Sequence, residues 1–482
     1  MMGLHFLIVF AMYVLAGTVI AVLSRRMGVK SAKDYYIAGG RVGFLVAFGT
    51  YMATTYSAFM MIGLVGLTYQ TGIGAYGFEL LYLLVTVILL STIGYSIWRY
   101  SRERGWISPA QMIGDLYGST SLSKIISIIY LISMIPYVAA QIQGLGAIFE
   151  ISGLSYTHGV LLGAIIVISW IAMAGMWSVA TTDLYQAFIM LAGGLLYFYS
   201  VYSMITSRTS LNHVLRELGK AGYLGITEFW NIQVFMAYTI PWIFFAITNP
   251  QVVVRLYIHR DSSSYRRSLV VFAISGFLYT LLSIGIGLLA RSMAIHGLIP
   301  SNIARDKVTP TILGMINPFV SSIIAVSIVA AAVSTANSII LAVSSSLFKD
   351  LLITKSEKRV HMISIDIALV LIIALIAYFR VGYIVDLSVL TSVLLIPLAP
   401  LTIVGVALNK YINKYSRVTG IISVIAGFSI GMYSFITMGA ARTFIAAYYG
   451  LPISAWILVL SSIILMTGLL IDMKKPGKHV GN

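Results

Sequence analysis

The sequence contains no cysteine, and only 10% of its 482 residues are charged. The first absence excludes disulfide bonds, zinc–thiolate centres and thiol nucleophiles. The second excludes an ordinary soluble globular domain, in which roughly a quarter of the residues carry charge. Hydrophobic residues instead make up 59% of the chain, and the mean hydropathy is +0.95. These values indicate an all-α polytopic membrane protein.

Motifs of common enzymes are scarce as well. The chain has no H-E-x-x-H and no Walker A motif. Its seven histidines are scattered, and no two of them stand at the i, i+4 spacing that would place two metal ligands on one helix face. We therefore predict that the protein is not an enzyme.

Thirteen apolar stretches are each long enough to cross a bilayer as a helix, which takes about 20 residues. They cover approximately residues 3–24, 43–70, 75–98, 122–149, 156–178, 184–206, 230–256, 268–290, 312–348, 361–379, 384–408, 418–440 and 452–472.

Basic residues fall mostly on one side of these spans. If the N-terminus lies outside the cell, 23 of the 31 Lys and Arg residues lie in or beside cytoplasmic segments, as the positive-inside rule requires. We therefore predict a multi-pass protein of the plasma or inner membrane, with its C-terminus in the cytoplasm. The net charge of +16 then reflects topology. The predicted partners are the lipid bilayer, a small-molecule substrate and an ion, with no nucleic acid and no obligate protein partner.

Residues 43–72 form the least ordinary of these spans. Hydroxyl side chains crowd about two turns of its middle, at Thr50, Tyr51, Thr54, Thr55, Tyr56 and Ser57. Because hydrocarbon offers backbone polar groups no partner, such a cluster favours a helix that opens at mid-depth and presents oxygens to a small cation. Close packing between helices explains the same residues without a ligand, and this alternative stays open.

Two later spans carry similar features. Span nine has the adjacent Ser334 and Thr335 after an alanine-rich run, and hydroxyl oxygens suit a hard cation such as sodium. Span seven is interrupted at residues 248–251, where Pro250 removes a hydrogen-bond donor. Interrupted helices five spans apart predict an inverted repeat, with spans two to six and seven to eleven as its halves. Small-residue packing and a simple proline kink are the respective alternatives.

Ionisable side chains at depth are candidate functional groups, because burying them in a membrane is costly. Glu79, near the outer end of span three, is the strongest of them. We place Asp183 at the cytoplasmic turn between spans five and six, near Thr182. Asp386 is expected near a membrane surface, and Asp366 is expected either in an ion pair or near a membrane surface.

Five motifs resemble the sodium/solute symporter family, which contains proline, pantothenate, monocarboxylate and sugar symporters. They are AKDYYIAGGRVG, GTYMATTYSAFMMIGLVG, GMWSVATTDLYQA, NPQVVVRLYIHRD and AAAVSTANSIILAVSSSLFKDL. The resemblance covers nearly the whole chain and implies a LeuT-type fold of five plus five inverted helices with discontinuous first core helices. The expected divisions are a peripheral helix and loop at 1–42, a core at 43–408 with halves 43–206 and 230–408, and two peripheral helices and a tail at 409–482.

The resemblance also implies an ion site and a solute site. Sodium would be held by backbone carbonyls and side-chain hydroxyls at Ala53, Tyr56, Ala331, Ser334 and Thr335. The substrate-binding candidates combine positions that the resemblance implies with polar and aromatic residues expected at similar depth. They are Thr54, Thr55, Ser57, Phe59, Glu79, Tyr137, Gln141, Trp242, Phe245 and Asn249. Ordinary helix packing is the alternative for the aromatic members. Asp183 resembles a family aspartate on the inner route of ion release.

One position departs from the proline-type members of that family. Thr55 stands where they carry an aspartate, which makes the site less negative and favours weaker sodium binding or an anionic solute. We predict a sodium-coupled symporter that imports a small organic solute by alternating access, either an amino acid such as proline or a small carboxylate. The alternatives are a proton-coupled carrier of the same fold, a sugar- or vitamin-type sodium symporter, and a channel or sensor.

Overall fold

The computed structural model describes residues 2–352, 358–380 and 384–474. Almost all of these residues are helical, and a short antiparallel sheet pairs β1 (Ala447–Tyr448) with β2 (Leu451–Pro452). The predicted tail after Lys475 and part of the predicted cytoplasmic loop at 349–360 lie outside the described ranges.

The helices follow one another with short connections. Their bounds are α1 (Met2–Ser24), α2 (Ala32–Ile37), α3 (Phe44–Thr55), α4 (Val65–Thr71), α5 (Gly74–Leu89), α6 (Tyr95–Arg104), α7 (Pro109–Leu116), α8 (Thr120–Ile151), α9 (Tyr156–Ala174), α10 (Met176–Thr206), α11 (Leu211–Lys220), α12 (Ile232–Ile243), α13 (Phe245–Thr248), α14 (Pro250–Tyr257), α15 (Ser262–Ile295), α16 (Val308–Leu313), α17 (Pro318–Ser346), α18 (Arg359–Tyr378), α19 (Ile384–Leu395), α20 (Leu398–Ala407), α21 (Lys414–Met438), α22 (Ala440–Ile445) and α23 (Ile453–Lys474). Several begin at a serine whose side chain accepts a hydrogen bond from an N–H of the first turn, as at Ser108, Ser119 and Ser155. Each such cap satisfies a donor that the helix itself leaves free.

Eleven helices of the described chain are long and apolar enough to cross a membrane, and two bent helix pairs bring the count to thirteen. The bent pairs are Phe44–Thr55 with Phe59–Thr71 and Val385–Leu395 with Leu398–Ala407, each bent by 48°. The predicted number of spans is therefore confirmed. The bend in the eleventh span was not predicted; it falls at Ile396–Pro397, where proline cannot donate to the helix ladder.

The predicted turn near Thr182 is wrong. Helix α9 ends at Ala174, and Gly175 alone joins it to α10. Gly175 has φ +55°, and a Cβ there would lie 2.4 Å from the carbonyl oxygen of Tyr35, so glycine is required at this approach. The hydroxyl of Thr182 bonds back to the Ser178 carbonyl one turn earlier, which lets these hydroxyl residues remain in the helix.

Helix α17 lies at the centre of the molecule. In the 18-residue apolar stretch of α17, 83% of the residues are buried, compared with 28% in the corresponding stretches of α1 and α21. It packs against α1, α3, α8 and α10, and small residues permit the close approach. At one contact, a Cβ on Gly193 of α10 would lie 2.1 Å from Ser327 Oγ of α17. The hydroxyl-rich part of α17 is therefore enclosed by protein rather than by lipid.

A parallel β-bridge joins the chain just before α3 to the chain just after α14. The Val42 N–H donates to the Ile258 carbonyl (2.9 Å), and the Arg260 N–H donates to the Val42 carbonyl (3.0 Å). His259, between these partners, is buried, and desolvation lowers the pKa of its imidazole to about 3, so it is neutral at physiological pH. The bridge holds together the ends of the two segments that contain the interruptions described next.

Candidate functional site

The first interruption lies between α3 and α4. Tyr56 is extended (φ −96°, ψ 103°), and a π-helical turn then leads into α4. Two side chains replace the missing helical bonds: Ser57 Oγ accepts from the Phe59 N–H (3.1 Å), and Gln141 Oε1 accepts from the Ala58 N–H (3.3 Å). The last carbonyls of α3 are left without partners inside the helix. The predicted opening of this span is confirmed.

The second interruption separates α12, α13 and α14. Phe244 stands between the first two, and Asn249 is extended (φ −83°, ψ 123°) before Pro250 begins α14. Asn249 is fully buried, and its side-chain amide has no hydrogen-bond partner among the described residues. Buried polar groups are normally paired, so this amide is available to a ligand. The predicted interruption at 248–251 is confirmed.

Helix α17 meets the first interruption at Thr335. Its hydroxyl donates to the carbonyls of Ala53 (3.3 Å) and Thr54 (3.4 Å), which belong to the last turn of α3. The neighbouring Ser334 is fully buried near Asp183, and its Oγ makes no hydrogen bond of good geometry within the described chain. The other predicted sodium ligands are buried on the same two segments, at Tyr56 and Ala331. Carbonyl and hydroxyl oxygens with free lone pairs suit a hard cation.

A buried polar cluster, the Asp183 cluster, lies on the side of this contact that faces the β-bridge. Asp183 Oδ2 accepts a hydrogen bond from Thr50 Oγ1 (2.6 Å) and pairs with Arg255 Nη2 (3.5 Å). Arg255 Nη2 also donates to Ser338 Oγ (2.5 Å), which bonds to Thr54 Oγ1 (2.7 Å). All five side chains are buried. The cluster thus joins α3, α10, α14 and α17 through one charge pair and its hydrogen bonds.

The Asp183 cluster corrects two expectations and adds one residue. Asp183 is fully buried inside α10 instead of standing at a cytoplasmic turn. The hydroxyl of Thr54 bonds to Ser338 Oγ on α17, and its role in binding substrate stays a prediction. Arg255 was counted among the cytoplasmic charges and is fully buried. The available signal was its position little more than one turn after the interruption at Pro250, where the chain is still inside the membrane.

Aromatic side chains pack against the π-helical turn that follows the first interruption. The ring of Trp242 lies 5.4 Å from that of Phe59, 5.5 Å from Phe245 and 5.8 Å from Tyr82. Glu79 is buried beside the Trp242 indole, and its Oε2 has no hydrogen-bond partner in the described residues. Tyr82 was not predicted. An aromatic wall with an unpartnered carboxyl oxygen can receive a solute with an apolar body and a polar end.

The remaining predicted substrate residues surround the first interruption. Tyr137 and Gln141 lie one turn apart on α8, and Gln141 Nε2 donates to the Tyr137 carbonyl (3.4 Å). The phenol of Tyr137 interacts with Ser57, and Thr55 is buried with an unpartnered hydroxyl. Gln141 and Ser57 already satisfy backbone groups of the interruption, so they maintain its shape.

Two further aspartates are buried and paired away from this site. Asp386 Oδ1 pairs with Arg305 Nη2 (2.6 Å), and Asp366 accepts a hydrogen bond from the Tyr35 hydroxyl (2.6 Å). Both side chains are 2% exposed, so other residues of the protein surround them, and their predicted depth near the membrane surfaces stays a prediction. These contacts join distant parts of the chain and give the two carboxylates a structural role.

Known proteins match this architecture. The model of the sodium:solute symporter family matches residues 35–396. The sodium/pantothenate symporter of Haemophilus influenzae is 25% identical over 383 residues, which is 76% of each chain. A solved structure of a Na+-coupled sialic acid symporter, in a substrate-bound outward-open state, superposes with a TM-score of 0.80 at 18% identity over 98% of this chain and 97% of the other. MhsT in complex with L-phenylalanine gives 0.52 at 16% identity over 90% and 98%. The structural matches confirm the predicted LeuT-type fold.

Proposed function

Because the chain belongs to the sodium:solute symporter family, we propose that it uses the inward flow of sodium to import a small organic solute, an amino acid or a small carboxylate. Family members and structural neighbours are transporters rather than enzymes, and sodium is the coupling ion. The observation that carries the proposal is the contact of Thr335 with the free carbonyl of Ala53 in the opened span.

Sodium binds, in this proposal, where α17 meets the first interruption. Its ligands are the carbonyls of Ala53, Tyr56 and Ala331 and the hydroxyls of Ser334 and Thr335. The buried Ser334 hydroxyl, which makes no well-formed hydrogen bond in the described chain, supports this assignment, since an oxygen lone pair in a dry site favours a cation. An ion held there adds bonds between α3 and α17, which already share the contacts of the Thr335 hydroxyl and the Thr54–Ser338 hydrogen bond.

The solute binds between the two interruptions. Phe59, Trp242 and Phe245 supply its apolar contacts, while Glu79 and Asn249 offer unpartnered polar atoms. An amino group on the solute would satisfy the Glu79 carboxylate, which favours an amino acid. The name of the curated relative favours a second class, a vitamin such as pantothenate.

In this proposal, sodium and solute drive alternating access because each stabilises one conformational state of the transporter over another. A ligand shifts a conformational equilibrium only by its differential affinity for the two states. Sodium between α3 and α17 stabilises the state in which these helices are joined, and solute between the interruptions permits closure of the core at 43–408. The ion then leaves toward the N-terminal, cytoplasmic end of α3 past Asp183, whose charge lies on that side of the ligands.

Uptake by purified protein in liposomes tests the proposal. Labelled amino acids, small carboxylates, sugars and vitamins are offered under an inward sodium gradient, with potassium replacing sodium in the control. We expect one class to accumulate in the sodium arm alone and to exchange in counterflow. Accumulation that follows a proton gradient in sodium-free buffer would contradict sodium coupling. Non-saturable flux would indicate a channel.

Replacing Trp242 by alanine is expected to weaken solute binding selectively. Burial of a large aromatic side chain is worth about 1.5–3 kcal/mol, so KM for the solute should rise roughly tenfold or more, while half-saturation by sodium changes little. The matched control is Trp456→Ala, because Trp456 is 38% exposed on α23. Equal KM values for the two variants would remove Trp242 from the solute site.

A further inference from the structure

Three metal-ligating side chains meet on the face opposite the β-bridge, away from the candidate site. His213 and Glu217 lie one turn apart on α11, and His296 caps the C-terminus of α15. His213 Nε2 is 3.1 Å from Glu217 Oε1, and His296 Nε2 is 3.0 Å from Glu217 Oε2. One ligand atom from each residue lies within 4.8 Å of the others. We call this group the outer triad.

The hydrogen bonding of His296 leaves a nitrogen lone pair directed at a carboxylate. His296 Nδ1 lies 2.8 Å from the Ser292 carbonyl, and a carbonyl only accepts, so Nδ1 carries the proton. In the neutral ring Nε2 is then an acceptor facing Glu217 Oε2. Both atoms are shielded from solvent, and neither has a hydrogen-bond partner in the described chain. Two buried acceptors 3.0 Å apart repel each other unless a proton or a metal ion lies between them.

Packing and capping position the two helix ends that carry the outer triad. Ser210 caps α11 by accepting from the His213 N–H, and Val214 and Leu218 are buried on the face toward α15. The C-terminal end of α15 carries a partial negative charge that favours a cation. The Nδ1–carbonyl bond of His296 is also the usual way in which proteins orient a metal-binding imidazole.

We propose that the outer triad binds a transition-metal dication of the Zn2+ type. Two imidazole nitrogens and one carboxylate suit zinc, cobalt or nickel better than calcium or magnesium, which prefer all-oxygen sites. Tetrahedral ligands at about 2.05 Å from zinc stand ~3.3 Å apart, so the two nitrogen–oxygen contacts at 3.1 and 3.0 Å need only a few tenths of an ångström of expansion, and the three ligand atoms already lie within 4.8 Å of one another. Water completes the fourth position.

The bound metal fastens α11 to the end of α15, and main-chain bonds extend this restraint to the transport core. After α11, the Tyr223 carbonyl accepts from the Ile73 N–H (2.9 Å), and Thr227 Oγ1 donates to the Thr71 carbonyl (2.9 Å). Residues 71–73 end the span that contains the first interruption. Metal in the outer triad therefore slows transport turnover. This consequence rests on the proposed function, whereas the proposal that metal binds does not rest on it.

Binding is measured by isothermal titration of ZnCl2 into the purified full-length protein, carrying an affinity tag without histidine. We expect about one equivalent of zinc, with affinity at least tenfold lower in Glu217→Gln and in His296→Ala. The matched control, His158→Ala, removes an exposed histidine and should bind as the unmodified protein does. Absence of saturable binding, or equal affinity in all four proteins, would overturn the proposal. Thermal unfolding without metal verifies that each variant is folded.

An uptake measurement distinguishes the proposed metal site from the proposed transport function. External zinc should slow sodium-driven uptake several-fold in the unmodified protein and leave Glu217→Gln unaffected. If no solute is taken up at all, the proposed function fails while the titration still decides the metal site. If zinc binds and uptake is unchanged, the restraint on turnover is wrong and the binding site remains.

Discussion

Replacing Ser334 and Thr335 together by alanine is expected to abolish sodium-stimulated uptake. The double variant removes both hydroxyl ligands that α17 offers to the ion, and one of them also bonds the free carbonyls of Ala53 and Thr54. A hydrogen bond or ligand contact to a charged group contributes on the order of 1.5–3 kcal/mol. Loss of two such contacts therefore lowers sodium affinity by roughly 100-fold or more. Initial uptake rates across a range of sodium concentrations measure the effect.

The matched control for this variant lies on the same helix. Ser345 is fully buried on α17, but its hydroxyl bonds back to the Ala342 carbonyl of its own helix (2.7 Å). Ser345→Ala should keep the sodium dependence of the unmodified protein. If the double variant retains the same half-saturation by sodium, Ser334 and Thr335 are not ligands. If the control loses sodium stimulation equally, the effect arises from general disturbance of α17.

Arg255→Met is expected to destabilise the protein more than removal of any exposed charge. Arg255 and Asp183 are both fully buried and pair at 3.5 Å. Removing one partner of such a pair leaves an uncompensated charge and typically costs about 3–5 kcal/mol. Thermal unfolding in detergent, at fixed sodium concentration, should show a large decrease in midpoint. The methionine retains much of the side-chain volume, so the missing charge is the main change.

Two companion variants make that prediction specific to the pair. Asp183→Asn combined with Arg255→Met removes both charges and should recover much of the lost stability, because no unpaired charge remains. Arg99→Met removes an exposed arginine whose i, i+4 partner Glu103 is 3.9 Å away, and exposed pairs contribute about 0–1 kcal/mol. A double variant no more stable than Arg255→Met alone would show that the two residues act independently.

The interruptions were predictable because local chemistry determines them. The hydroxyl residues around Tyr56 and the Asn249–Pro250 step each disfavour a continuous helix, and the membrane permits open backbone only where protein surrounds it. The resemblance to a symporter family added the expected meeting of α3 and α17, and the contact between Ala53 and Thr335 agrees with it. Span number and fold class followed from hydropathy and from the same motifs.

The burial of Arg255 was not predictable in the same way. Its partners Asp183 and Ser338 lie 72 and 83 residues away in the chain, and nothing in its neighbourhood indicates such partners. Charge counting placed Arg255 with the loops because it stands at the end of a span. Asp183 was misplaced because the turn was expected near Thr182, whereas α10 continues through that position and its hydroxyls bond back to carbonyls of the same helix.

The β-bridge between Val42 and His259 raises the free-energy cost of any motion that separates the two chain segments it joins. Separating the two chain segments breaks two main-chain hydrogen bonds and the bond from the Ser264 hydroxyl to the Val42 carbonyl (3.2 Å), each worth about 1 kcal/mol net. Tilting both segments together as one rigid unit breaks none of these hydrogen bonds. The conformational change of turnover therefore costs least free energy when the two bridged segments move as one unit and the surrounding helices move relative to them.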